Sequence, residues 1–245
     1  WEISYQEALE YFQAAREAAY PDGWLQYEEV GNTAYITFDN FESGYFAPAY
    51  YIAKVEGEEL DDTVALIIDA HARITREGSP IENVVLDLSN NTGGDVDAAV
   101  VVLSWFLGDA PFSVRNMATG AMSNAVYRAD INLDGEFDER DTVADKNLYC
   151  LVSPVSFSCG NLIPWALKSS QKVTLIGRTT GGGSCTVQPM TTAYGTIFQM
   201  SSNMRMSFLK NGSFYDIDQG VDPDYYIDKI SNLYNRPALT DFINN

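Results

Sequence analysis

Apolar positions recur along this chain in two periods, and the switch between them marks out its elements. From Ser4 to Tyr20 the spacing is helical, with an apolar stripe opening at Leu9 and Phe12. Ser4 followed three residues later by Glu7 makes a capping box, and Pro21-Asp22-Gly23 stops the helix. Ala34 to Phe38 alternates aromatic and small residues, which predicts a strand. Asp62 to Ile74 predicts a second helix with Val64, Ile67, Ile68 and Ile74 on its apolar face. Val84-Val85-Leu86-Asp87-Leu88 is a short, nearly continuous apolar run, as expected of a strand buried on both faces. The loop Ser89 to Gly94 follows, then a helix from about Asp95 to Leu107 that is apolar nearly all round. The same order returns with a strand at Leu148 to Val152, a turn at Ser153 to Gly160 and a helix at Asn161 to Ser169. Val173 to Ile176 is a further strand, ending in the loop Gly177 to Ser184. Strands alternating with helices predict an α/β domain.

The 245 residues suffice for one large domain with a sizeable core. The formal net charge of -19 argues against a nucleic-acid partner, which would need cationic patches to meet phosphates. It suits a soluble, extracellular or cell-surface protein with carboxylates to spare for Ca²⁺. No apolar run is long enough to span a membrane. The chain opens at Trp1, close to a helix and without a signal sequence, so it is expected to be a piece of a longer protein. The three cysteines, Cys150, Cys159 and Cys185, make no disulfide framework and show no zinc spacing.

Ser158 falls between an apolar strand and a helix, in Val155-Ser156-Phe157-Ser158-Cys159-Gly160-Asn161. A residue there is exposed at the sheet edge, and the free N–H groups of the helix start can bind a developing oxyanion. The Gly93-Gly94 loop, also between strand and helix, can offer a second N–H. Turns of this kind also bind phosphates or merely reverse the chain.

Four motifs in order carry a resemblance to the tail-specific (C-terminal processing) serine peptidases, over roughly residues 30 to 228. Leu86-Asp87-Leu88-Ser89-Asn90-Asn91-Thr92-Gly93-Gly94 resembles their D-L-R-x-N-x-G-G signature, and Ser156-Phe157-Ser158-Cys159 their nucleophile turn. Ile176 to Gly183 resembles their Gly loop, and Gly220-Val221-Asp222-Pro223-Asp224 their closing motif. The resemblance implies an α/β fold with a crotonase/Clp-protease-like core over residues 1–245 and a peptide or protein substrate. It makes Ser158 the nucleophile, and the N–H of Cys159 with that of Gly93 or Gly94 the oxyanion hole. It sets Cys159 and Cys185 on facing loops, which in an exported protein predicts a disulfide between them and leaves Cys150 free.

The departures concern the base. Gly183 stands where the family's Ser-Lys branch has its lysine, and Asn161 stands where an acidic residue often follows the nucleophile. A serine without a base is a poor nucleophile. Three explanations compete. In the tricorn-like Ser-His branch the histidine comes from an upstream segment, and Asp216 or Asp218 would orient it. The chain would otherwise be a non-catalytic, peptide-binding relative. In the third, His71 swings in. His71 is the only histidine, and periodicity puts it on the packed face of its helix. There is no room for an intact PDZ module. A calcium-stabilised surface protein without reactivity is a further class.

Asp130-Ile131-Asn132-Leu133-Asp134-Gly135-Glu136-Phe137-Asp138-Glu139-Arg140-Asp141 matches an EF-hand or dockerin calcium loop. Asp130, Asn132, Asp134, Asp138 and Asp141 fall at side-chain ligand positions, the Glu136 carbonyl at position seven, and Gly135 at the sharp turn. Asp141 replaces the usual glutamate. A structural Ca²⁺ is therefore expected in a segment, 113–146, inserted between the two Gly-rich motifs.

Overall fold

A computed structural model describes residues 4–44, 50 and 62–245. Helix α1, Tyr5–Ala19, starts at Ser4, whose side chain accepts from the Glu7 N–H while the Glu7 carboxylate accepts from the Ser4 N–H. Strands β1 (Tyr27–Val30) and β2 (Thr33–Thr37) form a hairpin. Helix α2, Thr63–Thr75, is capped by Asp62, and strand β3 covers Asn83–Asp87. Helix α3 is Val96–Leu107. A second hairpin, β4 (Ala110–Asn116) and β5 (Met122–Tyr127), precedes the 130–141 loop. Strand β6 (Asn147–Val152), helix α4 (Cys159–Ser169) and strand β7 (Val173–Gly177) then follow. Beyond them lie β8 (Cys185–Thr191), β9 (Ile197–Ser207), the short pair β10 (Leu209–Lys210) and β11 (Ser213–Phe214), β12 (Tyr225–Tyr226) and helix α5 (Arg236–Ile243).

The main sheet runs β1-β2-β3-β6-β7-β12, parallel throughout except for β1. Parallel neighbours need a crossover, and α2, α3 and α4 lie in the three connections that join β2, β3, β6 and β7. Successive side chains of a strand point to opposite faces. Ala34, Ile36, Val84, Leu86, Cys150, Val152 and Leu175 accordingly join one core with α2, α3 and α4. Tyr35, Val85, Leu151 and Ile176 join the other, with Phe12 of α1 and Leu239 of α5. With both faces covered, β3 is buried at every residue, as its apolar run predicts.

Helix α5 is fastened to this second face by a buried ion pair. Arg236 Nη2 donates to Asp87 Oδ2 at 2.6 Å and to Thr37 Oγ1 at 3.1 Å, and its guanidinium lies over the Tyr35 ring. Asp87 also accepts from the Ser89 N–H, so this motif aspartate anchors the start of its loop.

The second sheet is antiparallel, in the order β5-β4-β9-β8. Its outer hairpin, β8 with β9, is largely solvent-exposed and carries Val187, Ile197 and Tyr194 outward. No described helix is long and apolar enough to cross a membrane.

Candidate active site

The two loops after β3 and β6 meet at the carboxyl ends of the parallel strands. Asn91, fully buried, is the clamp between them. Its Nδ2 donates to the Phe38 carbonyl at 3.0 Å, its Oδ1 accepts from the Gly93 N–H at 3.0 Å, and its carbonyl accepts from the Phe157 N–H at 3.1 Å. Gly160 must be glycine for this closeness, because a Cβ there would sit 2.7 Å from both Asn91 oxygens.

Ser158 is the residue before α4, at φ 56 and ψ -119, a conformation that L-residues adopt only under constraint. The constraint comes from three sides. The Ser158 N–H donates to the Gly182 carbonyl at 3.0 Å, the Ser158 carbonyl accepts from Asn161 and Leu162, and Phe157 bridges to Gly182. The result is a half-buried side chain at the helix start, facing Gly93. A Cβ on Gly93 would come within 2.7 Å of Ser158 Cβ and 3.2 Å of its Oγ. The Gly93 N–H is occupied by Asn91, whereas among the described residues neither the Gly94 nor the Cys159 N–H has an acceptor. Two unspent N–H donors thus belong to the segments flanking the serine.

Asn161, the third residue of α4, is spent on structure. Its side chain donates to the Ile217 carbonyl at 2.9 Å and accepts from Thr180 at 2.7 Å, tying the Gly loop to the segment before the closing motif. At Gly183, φ is +84, and a Cβ would stand 2.6 Å from the tip of the Phe157 ring.

The sequence profile of Peptidase family S41 matches residues 32–227, which contain every one of these loops. The chain belongs to Peptidase family S41. This S41 chain is 24% identical over 204 residues to the probable CtpA-like serine protease of Staphylococcus aureus, covering 83% of itself and 35% of the relative. It therefore spans about a third of the length of the curated relatives it matches. In structure it is similar to the photosystem II D1 C-terminal processing protease, with TM-score 0.58 and 20% identity over 80% of this chain and 42% of that one. It is also similar to a putative S41 protease from Bacteroides fragilis, with TM-score 0.59 and 14% identity over 91% and 58%.

His71 is a packing residue of this S41 domain. It is buried on α2, its Nδ1 accepts from Trp105 Nε1 of α3 at 3.2 Å, and burial lowers its pKa despite a bond to the Arg140 backbone and the charges of Asp141 and Asp145. Its partners are Trp105 and the end of the 130–141 loop. Asp216 and Asp218 both pair with Arg205, at 3.3 Å each. Asp218 also accepts from Ser184 Oγ at 2.9 Å, and its carbonyl accepts from Gly183. The expected Cys159–Cys185 bridge is corrected by the structure, in which all three cysteines are free. Cys159 Sγ turns instead to the Gly94 carbonyl at 3.2 Å, and burial pushes its thiol up to about 12. The signal for Asn91 as clamp was present in the sequence as its place in Asn-Thr-Gly-Gly, but its partner Phe38 was not.

In the 130–141 loop, Asp130 accepts from the Asp134 and Gly135 N–H groups, and Asp141 accepts from Ile131, Asn132 and Asp138. Arg140 bridges Asp134 and Asp138 at 2.7 Å each. Among the described residues no three His, Cys, Asp or Glu side chains converge as a metal cluster. The donor set is all hard oxygen, as Ca²⁺ requires, but a cation there would compete with the Arg140 guanidinium for two of its ligands.

Proposed function

We propose that this chain is the nucleophile-bearing core of a tail-specific serine peptidase, which cleaves peptide bonds through an acyl-enzyme on Ser158. The observation that carries the reading is Ser158 itself, held at positive φ at a helix start, against Gly93, between segments with two unspent N–H donors. Attack of Ser158 Oγ on a scissile carbonyl would develop negative charge on its oxygen. The N–H groups of Cys159 and Gly94 are the donors that would receive it, with Gly94 preferred to Gly93 because the Gly93 N–H is already used.

The base is proposed to come from outside these residues, as a histidine in the tricorn-like arrangement. Supporting this, His71 is committed to Trp105 and position 183 has no side chain. Asp218 is the better placed orienting carboxylate, since Ser184 and Arg205 fix it, whereas Asp216 is the more exposed of the two. The parallel sheet with helices on both faces supports a crotonase-like core, and segment 113–146 is read as its insertion. Ligand spacing supports a structural Ca²⁺ at 130–141, and the acidic composition supports an exported location. The second reading, a peptide-binding relative without turnover, is favoured by the lack of an assigned base for Ser158 among the described residues. Peptide hydrolysis by the full-length protein and its Ser158→Ala variant separates the two. Turnover lost in the variant supports the peptidase, and peptide binding unaccompanied by turnover in both supports the binding module.

A further inference from the structure

The flank of Ser158 at Gly183 is filled by the ring of the preceding residue. A Cβ built on Gly183 would lie 2.6, 2.7 and 3.1 Å from Cζ, Cε2 and Cε1 of Phe157, so a side chain at 183 needs the ring to move from this position. Phe157 is anchored through its main chain. Its backbone is held on both sides, by the N–H bond to Asn91 and by the Gly160 N–H on its carbonyl, and it bridges to Gly182. Tyr5 of α1 packs against the ring at 5.3 Å between centroids, and the Tyr5 hydroxyl donates to the Val155 carbonyl at 3.1 Å, which ties the N-terminal helix to the nucleophile turn. Phe157 is nonetheless 38% exposed, so one edge of the ring borders solvent beside Ser158.

We infer that Phe157 is a positioning residue that closes the Gly183 flank of Ser158 to any base and so dictates the side from which the serine can be deprotonated. This rests on Ser158 being the nucleophile. Removing the ring leaves a pocket lined by Gly183 and Tyr5, and cavities left by truncated aromatic side chains accept small ring molecules. A neutral imidazole in that pocket can take the proton from Ser158 Oγ.

The test uses residues 1–245, which lack the proposed outside base, with a fluorophosphonate as acylation probe and intact-mass and peptide mapping. The Ser158 Oγ–P bond forms as the P–F bond breaks, fluoride leaves, and imidazole carries off the hydroxyl proton. In Phe157→Ala, imidazole is expected to accelerate labelling of Ser158 saturably, by about tenfold to a hundredfold, within the range of general-base contributions. The gain should follow the free-base fraction of imidazole as pH is varied. In the unsubstituted protein the gain should be small and linear in imidazole. Phe157→Leu, which retains apolar volume in the flank, serves if the alanine variant does not fold, and should show a smaller saturable gain. A second readout is independent of chemistry: Gly183→Ala should lower Tm more in the Phe157 background than in the Phe157→Ala background. Equal saturable rescue with and without the ring, or no rescue in folded Phe157→Ala whose Ser158 still labels slowly, overturns the inference and leaves the nucleophile assignment intact. Failure of Ser158 to label in every arm removes the nucleophile assignment and the inference with it.

Discussion

Asn91→Ala strips the clamp between the two loops while leaving the backbone bond from Phe157 to residue 91 in place. The side chain makes two bonds, to the Phe38 carbonyl and from the Gly93 N–H, and has no solvent exposure. Truncation leaves both partners behind, unpaired and sheltered. Each such orphaned group costs about 1–3 kcal/mol, so the loss is about 2–6 kcal/mol before any relaxation. Against a typical domain stability of about 5–15 kcal/mol, that is a large fraction. Urea denaturation followed by tryptophan fluorescence measures it, and the midpoint should fall with little change in slope. The Gly93 loop should loosen as well, so Ser158 labelling by a fluorophosphonate should slow more than the stability loss alone would explain. A destabilisation below about 0.5 kcal/mol, within the range of an ordinary surface substitution, would refute the clamp.

Arg236→Met should cost about 3–5 kcal/mol, because it strands the buried Asp87 carboxylate, and Asp87→Asn in the same protein should recover part of that in chemical denaturation. Burial lowers the pKa of His71, so the unfolded chain takes up its proton first, near pH ~6.5. The contribution of His71 is thus whole above that pH and is lost as pH falls through the folded pKa; the drop in stability between neutral and mildly acid pH should be shallower in His71→Gln, and identical pH profiles would contradict it. Ca²⁺ at a hundred times its dissociation constant should stabilise the protein by about 2.7 kcal/mol, and Asp130→Ala with Asp134→Ala should abolish the shift. Superimposable melts in calcium and chelator would exclude the site.

The α/β core was legible because both faces of its sheet are buried, so that the strand at Val84–Leu88 and the helices around it announce themselves as apolar runs. The Ser4–Glu7 box marked the start of α1 to the residue. The hairpin β8–β9 was not legible: Gln188, Pro189 and Gln199 interrupt its apolar positions, and the exposed pair has no burial pattern to read. Strand β1 is four residues with two glutamates and exists through its pairing with β2. At the site, Ser158, Gly93 and Gly94 were readable from their places between strand and helix. That the Gly93 N–H is consumed by Asn91, and that Phe157 covers Gly183, depends on packing between segments far apart in sequence. The disulfide expectation failed for a local reason: placing the two cysteines on facing loops does not fix where a thiol points, and Cys159 turns to Gly94.

The central claim is that Ser158 is the acylated nucleophile, and mass spectrometry after fluorophosphonate treatment tests it most directly. The adduct should map to the peptide containing Ser158, form quickly in the full-length protein, form slowly or barely in residues 1–245 alone, and be absent from Ser158→Ala, whose melting temperature should be nearly unchanged. Losing the base of a serine–histidine system costs on the order of 10⁴ to 10⁶ in turnover, which sets the expected gap between the two lengths. An adduct on another residue, or a full-length protein that hydrolyses peptides as well with alanine at 158 as with serine, would contradict the account.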